Sequence, residues 1–240
     1  GSEMCIRDRL CIVVPRVVRE PKQRGVIIQG IFRSNYVIFG VSLVTNVFGA
    51  EEAAAASILS AVLVPMYNVL AVIALTVFTG GGKVSLKKTL KSIATNPLII
   101  AALLGVFASI IKLRFPAFLE TSLRDVSRLA TPLALIVLGG DFSFRKLKGN
   151  MRIAGVTVFI KLVVIPLVFL PIAVLAGSRG PSLLALALAW ETPVAVSSYI
   201  MAQQAGADGE LAGQLVVLSA VCCIPTVFLM IFILQSMALL

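Results

Sequence analysis

The sequence predicts an all-α membrane protein with seven spanning helices, an inverted internal repeat and two interrupted helices. The first observation behind this prediction is composition: of 240 residues, 59% are hydrophobic and only 13% are charged, with a mean hydropathy of +1.03. An ordinary soluble domain is about 45–50% apolar and about 25% charged. The composition therefore excludes a disordered chain, a fibrous repeat and a soluble globular fold.

The second observation is a series of apolar stretches that approach the roughly 20 residues needed to cross a bilayer. The seven stretches are 26–48, 53–78, 97–111, 126–140, 153–176, 182–202 and 211–234. The third and fourth are short, and we expect them to include flanking residues. An earlier stub, 10–18, is too short to cross. Residues 1–9 lack the features of a signal peptide, and we interpret them as a fragment end or non-native segment and leave them out of the fold prediction.

The third observation is the distribution of basic residues among the loops. One set of alternate loops carries 12 Lys and Arg residues and the opposite set carries 5. By the positive-inside rule, the loops around 16–25, 79–96 and 141–152 face the cytoplasm, and the C-terminus lies outside. The net charge of +10 is then a topology signal, with anionic lipid as a contact. No nucleic-acid partner is expected, because basic and aromatic residues do not alternate on a soluble face.

An internal repeat links the two halves of the chain. Two stretches share, in the same order, an Arg-Gly pair, a short acidic loop, a Leu-Ser-Ala-Val run and a proline. These landmarks are Arg24, 48–51, 59–62 and Pro65 in the first copy, and Arg179, 205–208, 218–221 and Pro225 in the second. The copies start five predicted spans apart, so they cross the membrane in opposite directions. Inverted repeats are typical of secondary transporters, whose sites lie near the midplane on interrupted helices.

Each copy contains a place where its helix is expected to stop. In the second copy this place is Thr192 and Pro193, because proline lacks an amide hydrogen and clashes with the preceding turn. In the first copy it is Ser34 and Asn35, followed by Gly40, where a side chain can bond freed backbone groups and glycine tolerates unusual dihedrals. Half-helices that begin at two such breaks would present unpaired N–H groups to one anion, such as a carboxylate.

Structural alternatives exist for these candidate substrate-binding residues. Pro193 alone could kink a continuous helix, and Asn35 alone could join two helices by a hydrogen bond. We favour a binding site because the two signals occur at corresponding places in the inverted copies. Tyr67 and Asn68 in the second span, and Ser197 after the second break, are further candidates for the cavity wall, which ordinary helix packing explains equally well.

Three ionisable residues lie inside predicted spans: Arg33, Lys161 and Glu191. Each would cost about 2.5–3.5 kcal/mol at a helix centre, so each should face protein or water. We expect Glu191 to pair with Lys161 or Arg33, and we assign the three to gating or coupling. The alternatives are a structural ion pair or, for Arg33, a side chain that reaches the cytoplasmic surface.

Three stretches resemble bacterial members of the auxin efflux carrier family. They are QGIFRSNYVIFG at 29–40, TPLALIVLGG at 131–140 and ETPVA at 191–195. The resemblance implies a carrier of inverted five-helix repeats, with crossed broken helices as in sodium/proton antiporters and bile acid symporters. It also implies a homodimer in the bacterial plasma membrane that moves organic anions such as malate, malonate or auxin. Ser42 departs from the proline that relatives commonly have at this place.

When the chain is aligned with this family, the resemblance implies that it is N-terminally truncated and that its segments have different roles. Residues 10–25 are the end of a truncated span and a cytoplasmic loop, and 26–78 are the remainder of the first repeat, within the transport domain. A cytoplasmic linker covers 79–96. Scaffold-type helices of the second repeat cover 97–152, and its transport-domain helices cover 153–240.

The function expected from the sequence is export or exchange of small organic anions by alternating access, without a cofactor or metal. A cation/proton antiporter or symporter on the same fold is one alternative, but it would need carboxylates deep in the membrane, and only Glu191 is available. A non-transporting membrane scaffold is the other alternative, and it has no need of paired breaks. An intramembrane enzyme is disfavoured because the chain has no His, and its four cysteines lack metal-binding spacing.

Overall fold

The computed structural model describes residues 2–49, 51–79, 91, 94–95, 97–113, 115–141 and 144–240. Eleven α-helices and two π-helical segments make up this part of the chain. The α-helices are α1 (Ser2–Val17), α2 (Pro21–Phe32), α3 (Ser42–Phe48), α4 (Ala54–Thr79), α5 (Pro97–Ile110), α6 (Ala117–Asp141), α7 (Phe144–Phe159), α8 (Ile165–Leu175), α9 (Gly180–Glu191), α10 (Ser197–Gln204) and α11 (Gly209–Ser236). The π-helical segments are π1 (Tyr36–Val41) and π2 (Ile160–Val164). No strand occurs among these residues, and the prediction of an all-α protein is confirmed.

Among the described residues, four helical stretches, the first of them interrupted at 33–35, are long and apolar enough to cross a membrane. They are Pro21–Phe48, Ala54–Thr79, Asn150–Leu175 and Gly209–Ser236. Each coincides with a predicted span, and the chain is therefore an integral membrane protein with a lipid bilayer around it. The third predicted span contains only a shorter apolar helix, Ile99–Ile110.

The other two predicted spans, 126–140 and 182–202, are not single helices that are both long and apolar enough to cross a membrane, for different reasons. α6 is 25 residues long, but its first half carries several charged residues. The sixth predicted span is divided into α9 and α10, of 12 and 8 residues, and each is much shorter than a bilayer-crossing helix. The count of seven spans stays a prediction.

α1 includes most of the segment that was left out of the fold prediction. It begins at Ser2 and continues to Val17 without interruption, and the interpretation of residues 1–9 as a fragment end or non-native segment stays a prediction. Ile6 and Val14, two turns apart on this helix, are both buried, and α1 packs against α2. The segment that precedes the predicted stub is therefore part of a helix whose apolar side chains contact the core.

The most buried helices are α2 and α9, which end at the two predicted helix breaks. In α2 every residue from Gly25 to Phe32 is buried, and in α9 all but one residue from Leu183 to Glu191 are buried. A helix that is apolar on all sides belongs in the interior of a bundle. Gly25 allows a close approach to α4, because a Cβ there would lie 3.0 Å from the carbonyl oxygen of Ala74.

Hydrogen bonds between loops bring one set of predicted same-side loops together. Gln23 Nε2 donates to Asp208 Oδ2 at 3.0 Å and to Asn150 Oδ1 at 3.4 Å, and the Asp208 amide donates to the carbonyl oxygen of Lys22 at 3.1 Å. The loops that precede α2 and follow α10, and the first turns of the 150–175 span, thus lie at one end of the molecule. Which side of the membrane this end faces stays a prediction.

Candidate functional site

Two of the buried helices are interrupted at the places that the sequence analysis singled out. α2 ends at Phe32 and π1 begins at Tyr36, while α9 ends at Glu191 and α10 begins at Ser197. Thr192 has φ −71° and ψ 154°, the extended conformation that the residue before a proline adopts. Each interruption therefore leaves several residues outside regular helix, deep in the bundle.

The two interruptions touch each other. The amide of Asn35 donates a 2.8 Å hydrogen bond to the carbonyl oxygen of Pro193. A buried amide and a buried carbonyl that no longer belong to a helix must each find a partner, and here each is the partner of the other. The pairing of the two breaks is thus a direct backbone contact between segments 158 residues apart in the sequence.

The helices that meet at this contact run antiparallel. Near the crossing, Gln29 Nε2 donates to the carbonyl oxygen of Ser198 at 3.0 Å, and further away Lys22 bonds to Asp208. The start of α2 therefore lies near the end of α10, and the end of α2 lies near the start of α10. On the other side of the crossing, α9 contacts π1 and α3.

The second break also donates a hydrogen bond to α11. Ser219 Oγ accepts a 2.9 Å hydrogen bond from the amide of Val194. Ser219 belongs to the Leu-Ser-Ala-Val landmark of the repeat, and the sequence analysis assigned it no role at a site. Its counterpart, Ser60, bonds within its own helix to the carbonyl oxygen of Ser57. A search for serines opposite predicted breaks would have identified Ser219.

Arg33 is a buried cation with neutral partners. The side chain is 4% exposed, and Nη2 donates to Asn68 Oδ1 and to Ser197 Oγ, both at 2.7 Å. Nη1 lies against Met201 Sδ. The alternative in which Arg33 reaches the cytoplasmic surface is therefore wrong. Among the residues that the structure describes, no carboxylate bonds to this side chain. A buried charge without an opposite charge is costly, so the site favours the arrival of an anion.

Lys161 places a second cation against the first break. It is fully buried, and its Nζ donates to Ser34 Oγ at 2.8 Å and to the carbonyl oxygen of Ile31 at 3.4 Å. The residue lies in π2, and π-helical turns inside longer helices frequently mark functional positions. The positive charges of Arg33 and Lys161 thus approach the same three-residue interruption.

A polar cavity of about 130 Å³ lies beside the crossing. Its polar lining comes from both breaks and from α4: Arg33, Ser34, Asn35, Tyr67, Asn68 and Ser197. Within the described part of the chain, no hydrogen bond uses the backbone amides of Ser34 and Ala195, which also line the cavity. The cavity therefore combines a guanidinium with amide and hydroxyl donors, the groups that bind a carboxylate.

Three other predicted site residues shape the crossing without lining this cavity. Thr192 and Pro193 form the second break, and the Thr192 hydroxyl is buried without a hydrogen-bond partner among the described residues. Gly40 lies in π1 beneath Tyr36, and a Cβ at Gly40 would overlap the tyrosine ring. Its backbone does not occupy the left-handed region. Glycine is needed at position 40 because a larger side chain would collide with the ring of Tyr36. The expectation that Gly40 adopts unusual dihedrals is wrong.

Gly40→Ala is expected to destabilise the protein, because the added methyl group must displace the ring of buried Tyr36. Overpacking of this kind typically costs about 1–3 kcal/mol, so the midpoint of thermal unfolding in detergent should fall. Gly155→Ala in α7 is the matched control, since nothing lies within 4 Å of a Cβ there and alanine favours a helix over glycine by about 0.5–1 kcal/mol. Equal midpoints for the two variants would contradict the proposed contact.

Glu191 lines a different cavity from Arg33, together with Thr226. Its Oε2 has no hydrogen-bond partner in the described part of the chain. Arg33 bonds to Asn68 and Ser197 and not to Glu191, and a pair with Lys161 stays a prediction. Sequence proximity to the break suggested the pair with Arg33, but the last turn of α9 directs the carboxylate towards α11.

Helices of spanning length, two interrupted helices that cross in the interior and buried cations at the crossing define a membrane transporter. The chain belongs to the membrane transport protein family of the auxin efflux carrier type, whose family model matches residues 82–231. This is a family of transporters and not of enzymes. The match includes Lys161, Glu191 and the second break, and it begins after the first break. A search of curated proteins finds no match.

Proposed function

We propose that the protein is a secondary carrier that exports or exchanges small organic anions, such as dicarboxylates or auxin-like carboxylates. The observation that carries this proposal is the buried guanidinium of Arg33, which has neutral partners and lines a polar cavity where two helix breaks meet. An anion that enters this cavity supplies the missing negative charge. The hydrogen-bond donors around it then replace the water that the anion loses.

The size and lining of the cavity support a small substrate. Its volume of about 130 Å³ corresponds to roughly four water molecules at about 30 Å³ each. In this state it holds a carboxylate group and a short carbon skeleton. We propose Ser34, Asn35, Asn68 and Ser197 as the residues that orient the carboxylate, and Thr192, Pro193 and Gly40 as those that maintain the crossing.

The antiparallel path of α2 and α10 supports alternating access. In inverted-repeat carriers the substrate lies between two oppositely directed broken helices, and one part of the protein moves past the other. We propose the same organisation here, with 26–78 and 153–240 in the transport domain and 97–152 in the scaffold. We also propose that the protein forms a homodimer in the bacterial plasma membrane, with its C-terminus outside.

A role of ions in the cycle is the second part of the proposal. We propose that Lys161 and Glu191 couple or gate transport, because one contacts the first break and the other ends the helix before the second break. A cation/proton antiporter or symporter is the second candidate function. The observation that favours it is the buried Oε2 of Glu191, which could accept a proton.

Counterflow in vesicles tests the proposed substrate class. In proteoliposomes that contain the full-length protein and internal malonate, we expect saturable uptake of labelled malonate. Other small mono- and dicarboxylates should compete, whereas malonamide, the neutral analogue of similar shape, should not. Competition by malonamide equal to that of malonate would show that the site does not recognise charge. Uptake driven by a proton gradient and abolished in Glu191→Gln would support coupling through this carboxylate.

A further inference from the structure

A second cavity lies at the end of α9, away from the polar one. Its volume is about 280 Å³, and its wall is formed by π2, α8 and α11 with the end of α9. Leucine, isoleucine, valine, proline and methionine side chains make up most of the lining, and Glu191 and Thr226 are the polar lining residues. No lining residue is shared with the polar cavity, so the two are distinct places.

The second cavity opens on the outer surface of two spanning helices. Leu167, Leu229 and Ile233 line it and are 69%, 54% and 52% exposed. They belong to Asn150–Leu175 and Gly209–Ser236, both long and apolar enough to cross a bilayer. In a bilayer this mouth faces hydrocarbon, so a molecule that enters must be lipophilic over most of its surface.

The polar end of the cavity is a carboxylate that lacks a second partner. Glu191 is 3% exposed, and its Oε2 is buried without a hydrogen bond in the described ranges. The guanidinium of Arg33 is engaged elsewhere, since it bonds to Asn68 and Ser197. A buried acceptor without a partner favours a ligand that brings a donor, and a carboxylate favours a cationic one.

We propose that this cavity binds a lipophilic primary ammonium, with its hydrocarbon part among the leucines and its charged nitrogen on Glu191. An ammonium group supplies three donors, enough for the carboxylate and the Thr226 hydroxyl together. A bound ammonium stabilises the carboxylate form of Glu191, whereas a lipophilic anion brings neither a hydrogen-bond donor nor an opposite charge to it. The binding step does not depend on which anion the protein transports.

The chain contains a natural reporter for this site. Trp190 is the single tryptophan, it precedes Glu191, and its ring centroid lies 5.6 Å from that of Phe169 on α8. Titration of the purified 240-residue chain with octylamine at neutral pH should give a saturable change in Trp190 fluorescence. Octanol should bind at least about tenfold more weakly, as expected when a charge-assisted hydrogen bond is replaced by a neutral one. Octanoate should give no saturable change.

Two variants make the assignment specific. Glu191→Gln keeps the size of the side chain and should weaken octylamine binding at least about tenfold, since the charge is lost. Leu229→Phe adds bulk at the exposed mouth and should also weaken binding, which keeps the test decisive if Glu191→Gln does not fold. Malonate should not displace octylamine, because the cavities share no lining residue. Equal octylamine affinity in all three proteins, or comparable binding of octanoate, would overturn the proposal whatever the outcome of the malonate experiments.

Discussion

Arg33→Gln is expected to weaken carboxylate binding about 30-fold or more, since truncating one partner of a buried charge pair costs about 2–5 kcal/mol and about 1.4 kcal/mol corresponds to a factor of ten. Glutamine can still donate to Asn68 and Ser197, so the cavity wall should persist while its charge disappears. The loss should appear as a higher malonate concentration for half-maximal counterflow. The stabilisation of the protein by malonate in thermal unfolding should decrease in parallel.

Two further variants separate charge from geometry at this position. Arg33→Lys keeps the charge but loses the planar fork that contacts two acceptors at once, and we expect an intermediate loss of affinity. Arg24→Gln is the matched control on the same helix, because Arg24 donates to the carbonyl oxygens of Val18 and Arg19 at the end of the molecule. Unchanged malonate affinity in Arg33→Gln would show that the polar cavity is not the anion site.

Pro193→Ala is expected to lower anion flux at least tenfold, to the level at which transport is effectively lost, while insertion into the membrane is retained. Without the proline ring, Thr192 is no longer held in the extended conformation and the turn before it is free to continue as helix. The carbonyl oxygen at position 193 would then turn away from the amide of Asn35, and the crossing would lose its backbone contact. Counterflow and the yield of membrane-inserted protein measure the two effects separately.

The chain offers a matched control for this variant. Pro225 lies inside the continuous helix α11 and has an exposed side chain, so Pro225→Ala removes a proline without changing a helix break. We expect its flux to stay close to that of the wild type. Asn35→Ala is a useful companion, because it retains the backbone bond to Pro193 and removes only the carboxamide from the cavity. Normal flux in both Pro193→Ala and Asn35→Ala would mean that the substrate passes elsewhere.

Local properties of the chain were sufficient to predict several features. Apolar composition predicted the membrane environment, and the family resemblance is confirmed by the match over 82–231. The helix break at Pro193 was predictable from the chemistry of proline. The helix break at Asn35 was predictable from polar residues within an apolar run. The loops grouped by charge include those that Gln23 joins at one end of the molecule. The number of spans was harder to predict, because α6 mixes charged and apolar residues.

Contacts between distant segments required the three-dimensional fold. The bond from Asn35 to Pro193, the neutral partners of Arg33 and the placement of Glu191 in a different cavity from Arg33 depend on how helices cross. Sequence spacing does not specify a crossing. Gly40 illustrates the same limit, since its requirement for space arises from the ring of Tyr36 in a π-helical turn. Helix ends and membrane preference are properties of neighbouring residues. The partner of a buried charge is set by packing across the whole bundle, and for that reason the neutral partners of Arg33 could not be predicted from the sequence.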